Sequence, residues 1–372
     1  MRIKKKVIFL LIIVFFIIFS VSLLLSNSNR GDLKGNIVVW TNEVYYNYFI
    51  KTAEEFEENN KKVNVKVVNI EKEQYLDRII NSNEKDLPNI VQLDFLEIEE
   101  VKEKIDFFQE NKYIIETYSK NFKDSRVQEV KIDDNYYGVP FESNPIALYV
   151  RADILNKYGY EASELNTWND LIKIGVEINA KSSGQINMFS KDDKSNIELL
   201  ITSQLADYQG GIYTKEDILN EINKIYKEEF IVEDTNYLYR IASLDFYKGI
   251  IQGSSVGVWE CKNPPSYKPG ENRMYDIGGK NLVALNTYKN REAVKEFISF
   301  ASTNKDLLSK ELLNINFFPS SLYSLNVSEN KLELRNIKGG SPFLILINIV
   351  ERAPSIENYN KVKEVIRDLY IN

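Results

Sequence analysis

The chain has 372 residues, 44% of them hydrophobic and 27% charged, with a formal net charge of −7 and a pI near 5.2. That is enough chain for one large or two ordinary domains with real cores, and its acidity argues against nucleic acid or an anionic membrane surface as a partner of the globular part. With no histidine and a single cysteine, Cys261, it cannot build a Ser-His-Asp triad, a Cys-His pair, a His-ligated metal site or an intrachain disulfide.

Arg2, Lys4, Lys5 and Lys6 precede an apolar run from Val7 to Leu25. As a helix this run is roughly 30 Å long, enough to cross the hydrocarbon core. We expect a signal or anchor segment over 1–30 with a transmembrane helix at about 7–26. The basic cluster would stay inside the cell and the rest of the chain outside. The run exceeds the usual length of a signal-peptide core. An uncleaved tether at the extracellular face is therefore the reading, with secretion after cleavage near Ser26-Asn27-Ser28 as the alternative.

Ile37-Val38-Val39-Trp40 suits a buried strand, and Thr41-Asn42-Glu43 reads as a loop. Phe49, Ala53 and Phe56 mark one face of a helix. Val63, Val65 and Val67 alternate as a second strand, Tyr75, Ile79 and Ile80 mark a second helix, and Ile90 to Asp94 gives a third strand. This β-α-β-α-β order predicts a parallel sheet with ligand contacts at the carboxyl ends of its strands. Asp133 to Leu171 then holds Tyr137-Gly138-Val139-Pro140, an extended run from Asn144 to Val150, a helix from Arg151 and a helix opened by Thr167-Trp168. Helical spacing recurs at Ile197, Leu200 and Ile201 and at Ile218, Ile222 and Ile225. Gly253 to Glu260 reads as a small-residue strand ending in Trp259. Gly278 to Leu285 reads as a further strand, and KNREAVKEFISFAS, from Lys289 to Ser302, as a helix. Phe318-Pro319-Ser320 and the stretch from Arg352 to Val362 precede a terminal helix ending at Tyr370.

The order and spelling of these segments resemble the bacterial extracellular solute-binding proteins of ABC importers, in their sugar-binding class (family 1, maltose-binding-protein-like). The resemblance rests on Tyr137-Gly138-Val139-Pro140, Thr167-Trp168, Pro88 to Asp94, Gly278-Gly279, the Lys289–Ser302 stretch and Phe318-Pro319. The usual lipidated cysteine after the apolar run is missing, and the gap before Trp259 is shorter than in the family. The resemblance implies an α/β, two-lobed (class II) periplasmic-binding-protein-like fold with three crossings, near Glu142 to Pro145, Tyr275 to Gly279 and Phe318 to Ser320. The N-lobe would be 35–143 with 280–318, and the C-lobe 144–279 with 319–372. Its implied function is non-enzymatic: a monomer captures a carbohydrate, an oligosaccharide by preference, between its lobes and passes it to ABC permease subunits, with no cofactor and no metal.

A sugar site needs flat aromatic faces against C–H faces and paired polar groups for hydroxyls. The candidates are Trp40, Asn42, Glu43, Asp94, Glu142, Asn144, Trp259 and Glu260, with Gly278 and Gly279 for close backbone approach. Asp94 could instead cap the helix Phe95 to Lys104. Two rivals stand beside transport: a membrane-anchored binding module serving a sensor or surface assembly, and a glycoside hydrolase using Glu142 and Glu260 as its carboxylate pair.

Overall fold

A computed structural model describes residues 33–105, 111–227, 231–232, 236–276, 278–285, 290–327 and 336–370. The expected anchor lies outside the described residues, as do Ile277 and Lys289. Among the described residues no helix is long and apolar enough to cross a membrane.

Strands β1 (Lys34–Thr41), β2 (Lys62–Asn69) and β3 (Ile90–Leu93) run parallel, joined through the helices Glu43–Asn59 and Lys72–Asn81. A hairpin of β4 (Lys131–Ile132) and β5 (Asn135–Tyr136) precedes β6 (Val139–Pro140). The chain then leaves this sheet for a second one. That sheet holds β7 (Ala147–Arg151), β8 (Asn187–Ser190), β9 (Ile231–Val232), β10 (Tyr237–Ala242) and β11 (Trp259–Lys262). β12 (Asn281–Ala284) returns to the first sheet, and β13 (Ile337–Lys338) closes the second. The strand orders are β2-β1-β3-β12-β6 and β13-β11-β7-β10-β8-β9. The chain therefore passes between sheets three times.

Separate apolar cores explain why two sheets form. Phe49, Phe56, Phe141, Phe297 and Phe317 pack on one face of the first sheet, and Ile79, Leu93 and Val101 on the other. Leu148, Phe189 and Leu200 anchor one face of the second sheet, and Tyr149, Trp259 and Phe343 the opposite face. The alternating strands feed both faces, as a sheet buried on two sides requires.

The three passages are bonded to one another. Glu142 pairs with Pro319 and Pro145 with Asp276 as isolated bridges. The Ser143 N–H donates to Phe318 O at 2.8 Å, and the Ser320 N–H to Phe141 O at 2.9 Å. Gly279 makes the close approach possible. Its φ is +101°, and a Cβ there would sit 2.2 Å from Glu142 O.

Two local expectations are corrected. Asn42-Glu43 is no loop: the Asn42 side chain accepts the Val44 N–H at 3.0 Å, capping a helix whose first residue is Glu43. Gly253 to Val258 forms no strand, because Gly253 and Gly257 adopt φ of +75° and +107°; Trp259 begins β11 rather than ending a strand.

Gly279→Ala is expected to cost more than about 2 kcal/mol, since it adds a backbone collision to positive-φ strain. Gly184→Ala, also at positive φ but with nothing within 4 Å of an added Cβ, should cost only about 1 kcal/mol. Urea unfolding of the two variants compares them directly.

Candidate functional site

A buried polar cluster holds the passages together. Glu129 lies on the helix Asp124–Glu129 and is 1% exposed. It forms an ion pair with Arg126 through Oε2. The same oxygen accepts the Gly278 N–H at 3.0 Å and the Tyr359 hydroxyl at 3.2 Å, while Oε1 accepts Asn281 Nδ2 at 3.2 Å. Arg126 Nη2 donates onward to Glu142 O at 2.8 Å and Asn281 Oδ1 at 3.0 Å. Nearby, Ser143 Oγ donates to Asp276 Oδ2 at 3.1 Å and lies 3.1 Å from Ser320 Oγ, so one residue from each passage meets here. Burial pushes the Asp276 carboxyl up to about 6, with Arg126 acting against the rise.

Beside this cluster lies a cavity of 270 Å³, close to the lower end of the roughly 300–1,000 Å³ typical of small-molecule sites. Its walls come from both sheets and two passages. Asp94, Phe95 and Leu96 follow β3, at the carboxyl end of a parallel strand. Asn144 comes from the first passage, and Gly278 and Gly279 from the second. Ser195, Asn196 and Leu199 lie on the helix Lys194–Ala206 that follows β8. The remaining wall is the terminal helix Tyr359–Tyr370, which presents Tyr359, Lys363, Ile366 and Tyr370. Asn144 Nδ2 donates to Asn196 Oδ1 at 3.2 Å, linking a passage to the second sheet's helix across the cavity wall.

Four of the ten sequence candidates therefore line this cavity: Asp94, Asn144, Gly278 and Gly279. Asp94 also caps its helix, accepting the Glu97 N–H at 3.0 Å, and Lys280 Nζ reaches it at 2.9 Å and Glu97 at 2.6 Å. Burial and the neighbouring Asp94 raise the Glu97 pKa. Burial works to lower that of Lys280, but the two carboxylates lift it above its usual value.

The other six lie elsewhere. Trp40 is core, with the Arg78 guanidinium 4.9 Å from its ring centre. Asn42 is spent on its helix cap, and Glu43 is exposed on the first turn. Glu142 is half-buried and accepts the Tyr45 hydroxyl at 2.6 Å; burial pushes it up to about 7, with that hydrogen bond acting against the rise. Trp259 is 1% exposed: its ring packs edge-on to Phe246 at 4.9 Å, and its Nε1 donates to Val256 O at 3.2 Å. Glu260 is register-paired with Val150. Glu142 is held by Tyr45 while Glu260 sits in β11 beside Val150, and neither lines the cavity, so the two form no carboxylate pair there.

The sequence reading missed the terminal-helix wall. Tyr359, Val362, Lys363, Ile366 and Tyr370 fall at i, i+3, i+4, i+7 and i+11, a single helical stripe. A lysine inside such a stripe was the available signal. Glu129 gave none, because its partners Gly278, Asn281 and Tyr359 are each about 150 residues or more away in sequence.

The model of the bacterial extracellular solute-binding protein family matches residues 40–306. Among curated relatives, an arabinooligosaccharide-binding protein from Halalkalibacterium halodurans is 19% identical over 286 residues, covering 66% of this chain and 63% of that protein. A second arabinooligosaccharide-binding protein, from Bacillus subtilis, is 20% identical over 222 residues, covering 52% of this chain and 50% of its own. The matches thus span between half and just under two thirds of these relatives. Among solved structures, the sugar-binding protein MalE from Xanthomonas citri aligns with a TM-score of 0.64 at 14% identity, covering 90% of this chain and 96% of that one. An ABC substrate-binding protein from Listeria monocytogenes in complex with cycloalternan aligns with a TM-score of 0.59 at 13% identity, covering 91% and 100%. The chain belongs to the bacterial extracellular solute-binding protein family, and it has the α/β fold of the MalE-like binding proteins.

The raised acids set a pH dependence. In the unfolded chain a Glu carboxyl titrates near 4.3, whereas folded Glu142 titrates near 7. Between these values the folded state holds the extra proton, so stability falls as pH rises through that window. Glu142→Gln keeps an acceptor for Tyr45 and removes the buried charge. It is expected to stabilise the protein by about 1–2 kcal/mol at pH 8 and to lose that advantage by pH 5, as read from denaturant unfolding at both values.

Proposed function

We propose that this extracellular solute-binding protein captures a carbohydrate, an oligosaccharide by preference, between two lobes that close about the three passages. The lobes are taken as 35–143 with 280–318 and 144–279 with 319–372. The carrying observation is the 270 Å³ cavity at the junction of the passages, walled from both sheets. A ligand in it touches both halves, as any ligand must if it is to favour the closed arrangement. Asn144, Ser195, Asn196 and the backbone of Gly278 and Gly279 offer hydroxyl partners, and Tyr359, Tyr370 and Phe95 offer aromatic surface. The names of the relatives, which bind arabinooligosaccharides, support the ligand class. In this reading an uncleaved N-terminal helix tethers the protein to the outer face of the membrane, and it hands its ligand to ABC permease subunits.

Trp40 and Trp259 are buried away from the cavity, so calorimetry is a better probe than tryptophan fluorescence. Titration with arabino-, malto- and chito-oligosaccharides is expected to give saturable binding to at least one series. Asn144→Ala should then weaken that binding about tenfold, the loss of roughly one hydrogen bond to a polar ligand, with the melting temperature lowered by no more than about 4 °C for the lost bond to Asn196. No heat from any carbohydrate, with a response to peptides or polyamines instead, would reassign the ligand class.

A further inference from the structure

Three charged side chains line the cavity, and they are not equivalent. The Glu129 carboxylate is engaged by Arg126, Gly278, Asn281 and Tyr359. The Asp94 carboxylate is engaged by Lys280 and the Glu97 N–H. Lys363 is different. It is 7% exposed, and its Nζ donates to the backbone carbonyl of Lys131. Its ammonium sits 5.3 Å from the ring centre of Phe95 and 5.7 Å from that of Tyr359. Among the described residues no carboxylate lies within ion-pairing distance of it, and one protein oxygen serves its three donors. Ring faces soften the burial of a cation but do not neutralise it. Burial lowers the Lys363 pKa to about 8, with the more distant Glu129 and Glu99 acting against the fall and Arg367 and Lys102 adding to it, which still leaves the group charged at neutral pH.

A desolvated cation at a cavity wall favours a ligand that brings the missing charge. A sugar hydroxyl would accept from Lys363 and leave its charge uncompensated, whereas a sugar carboxylate would form an ion pair that neutralises it. Neither resident carboxylate pairs with Lys363: Glu129 is held by Arg126, and Asp94 shares Lys280 with Glu97. Asn144 and Ser195 remain on the wall for hydroxyls. We propose that Lys363 is a specificity-determining residue that selects carbohydrates bearing a carboxylate, so that the preferred ligand contains a uronic acid unit. The inference rests on the carbohydrate reading of the same cavity and narrows it.

The test compares matched pairs by calorimetry: glucuronate- and galacturonate-containing disaccharides, each beside its uncharged methyl ester. The unmodified protein is expected to bind at least one acid about tenfold tighter than its ester. Lys363→Gln should abolish that preference by weakening the acid about tenfold and the ester less than about threefold, while Lys363→Arg should keep it. Equal affinity of the unmodified protein for acid and ester overturns the inference. So does an equal loss for both in Lys363→Gln. The acid–ester comparison decides the matter even if Lys363→Gln fails to fold. Binding of neutral oligosaccharides with no acidic preference sinks this inference and leaves carbohydrate capture standing. Binding of no carbohydrate, acidic or neutral, sinks both.

Discussion

Everything at the junction depends on one carboxylate. Glu129 is buried, and burying an ion without partners would be prohibitive. It is tolerated here because Arg126 supplies the countercharge and Gly278, Asn281 and Tyr359 fill the remaining lone pairs. A buried pair of this kind is weak evidence for stability, since desolvation offsets much of the attraction. What it does supply is registration. The pair fixes a helix of the first half, the backbone of the second passage and the terminal helix relative to one another. Arg126 extends that grip to the first passage through Glu142 O. Removing either ion would leave the other uncompensated, so the two are better regarded as one unit.

That unit also borders the cavity, which ties recognition to geometry. Glu129 and Tyr359 both line the cavity and both belong to the cluster. A ligand pressing on Tyr359 therefore acts on the hydroxyl that reaches Glu129, and Glu129 in turn holds the Gly278 N–H. The terminal helix has further holds on the first half: Arg367 Nη2 meets Glu99 at 2.9 Å, and Lys363 reaches the Lys131 carbonyl. Just before that helix, Ser355 Oγ donates to Asp124 at 2.7 Å. Any opening of the junction would have to break or stretch several of these, and only differential contact with a ligand could shift such a balance.

Local pattern made most of the fold legible. The β-α-β-α-β start follows from apolar runs and helical spacing, and the helix after β3 from Asp94, whose capping box with Glu97 is a short-range device. Asn144, Gly278 and Gly279 became candidates through the family resemblance, and they lie on the cavity wall. The tryptophan candidates lie off that wall, for a physical reason. A tryptophan beside a strand satisfies a core as readily as a sugar, and Trp259 is sealed by Phe246 and the strand partner Arg151. Sequence alone cannot say which face of the sheet such a ring occupies once glycines such as Gly253 and Gly257 shift the register. Besides Phe95, the aromatics of the cavity, Tyr359 and Tyr370, lie on the terminal helix, more than 200 residues from Asn144. Tertiary packing, against the helices Lys194–Ala206, Lys215–Lys227 and Asp124–Glu129, brings that helix there.

The distribution of charge around the cavity says more about the site's chemistry than residue type does. A catalytic acid or base must hold its proton exchangeably near the reacting atoms. Here Glu129 is committed to Arg126 and three further donors, while Asp94, more exposed, is held by Lys280 and the Glu97 N–H. Glu142, the acid pushed up to about 7, faces Tyr45 and not the cavity. Between the two carboxylates the wall carries amide, hydroxyl and aromatic groups, the chemistry of a polar-ligand site. The single under-satisfied charge on that wall is cationic, among the described residues. The discrimination the site can exert is therefore concentrated at Lys363, and the chemistry that would satisfy Lys363 is anionic.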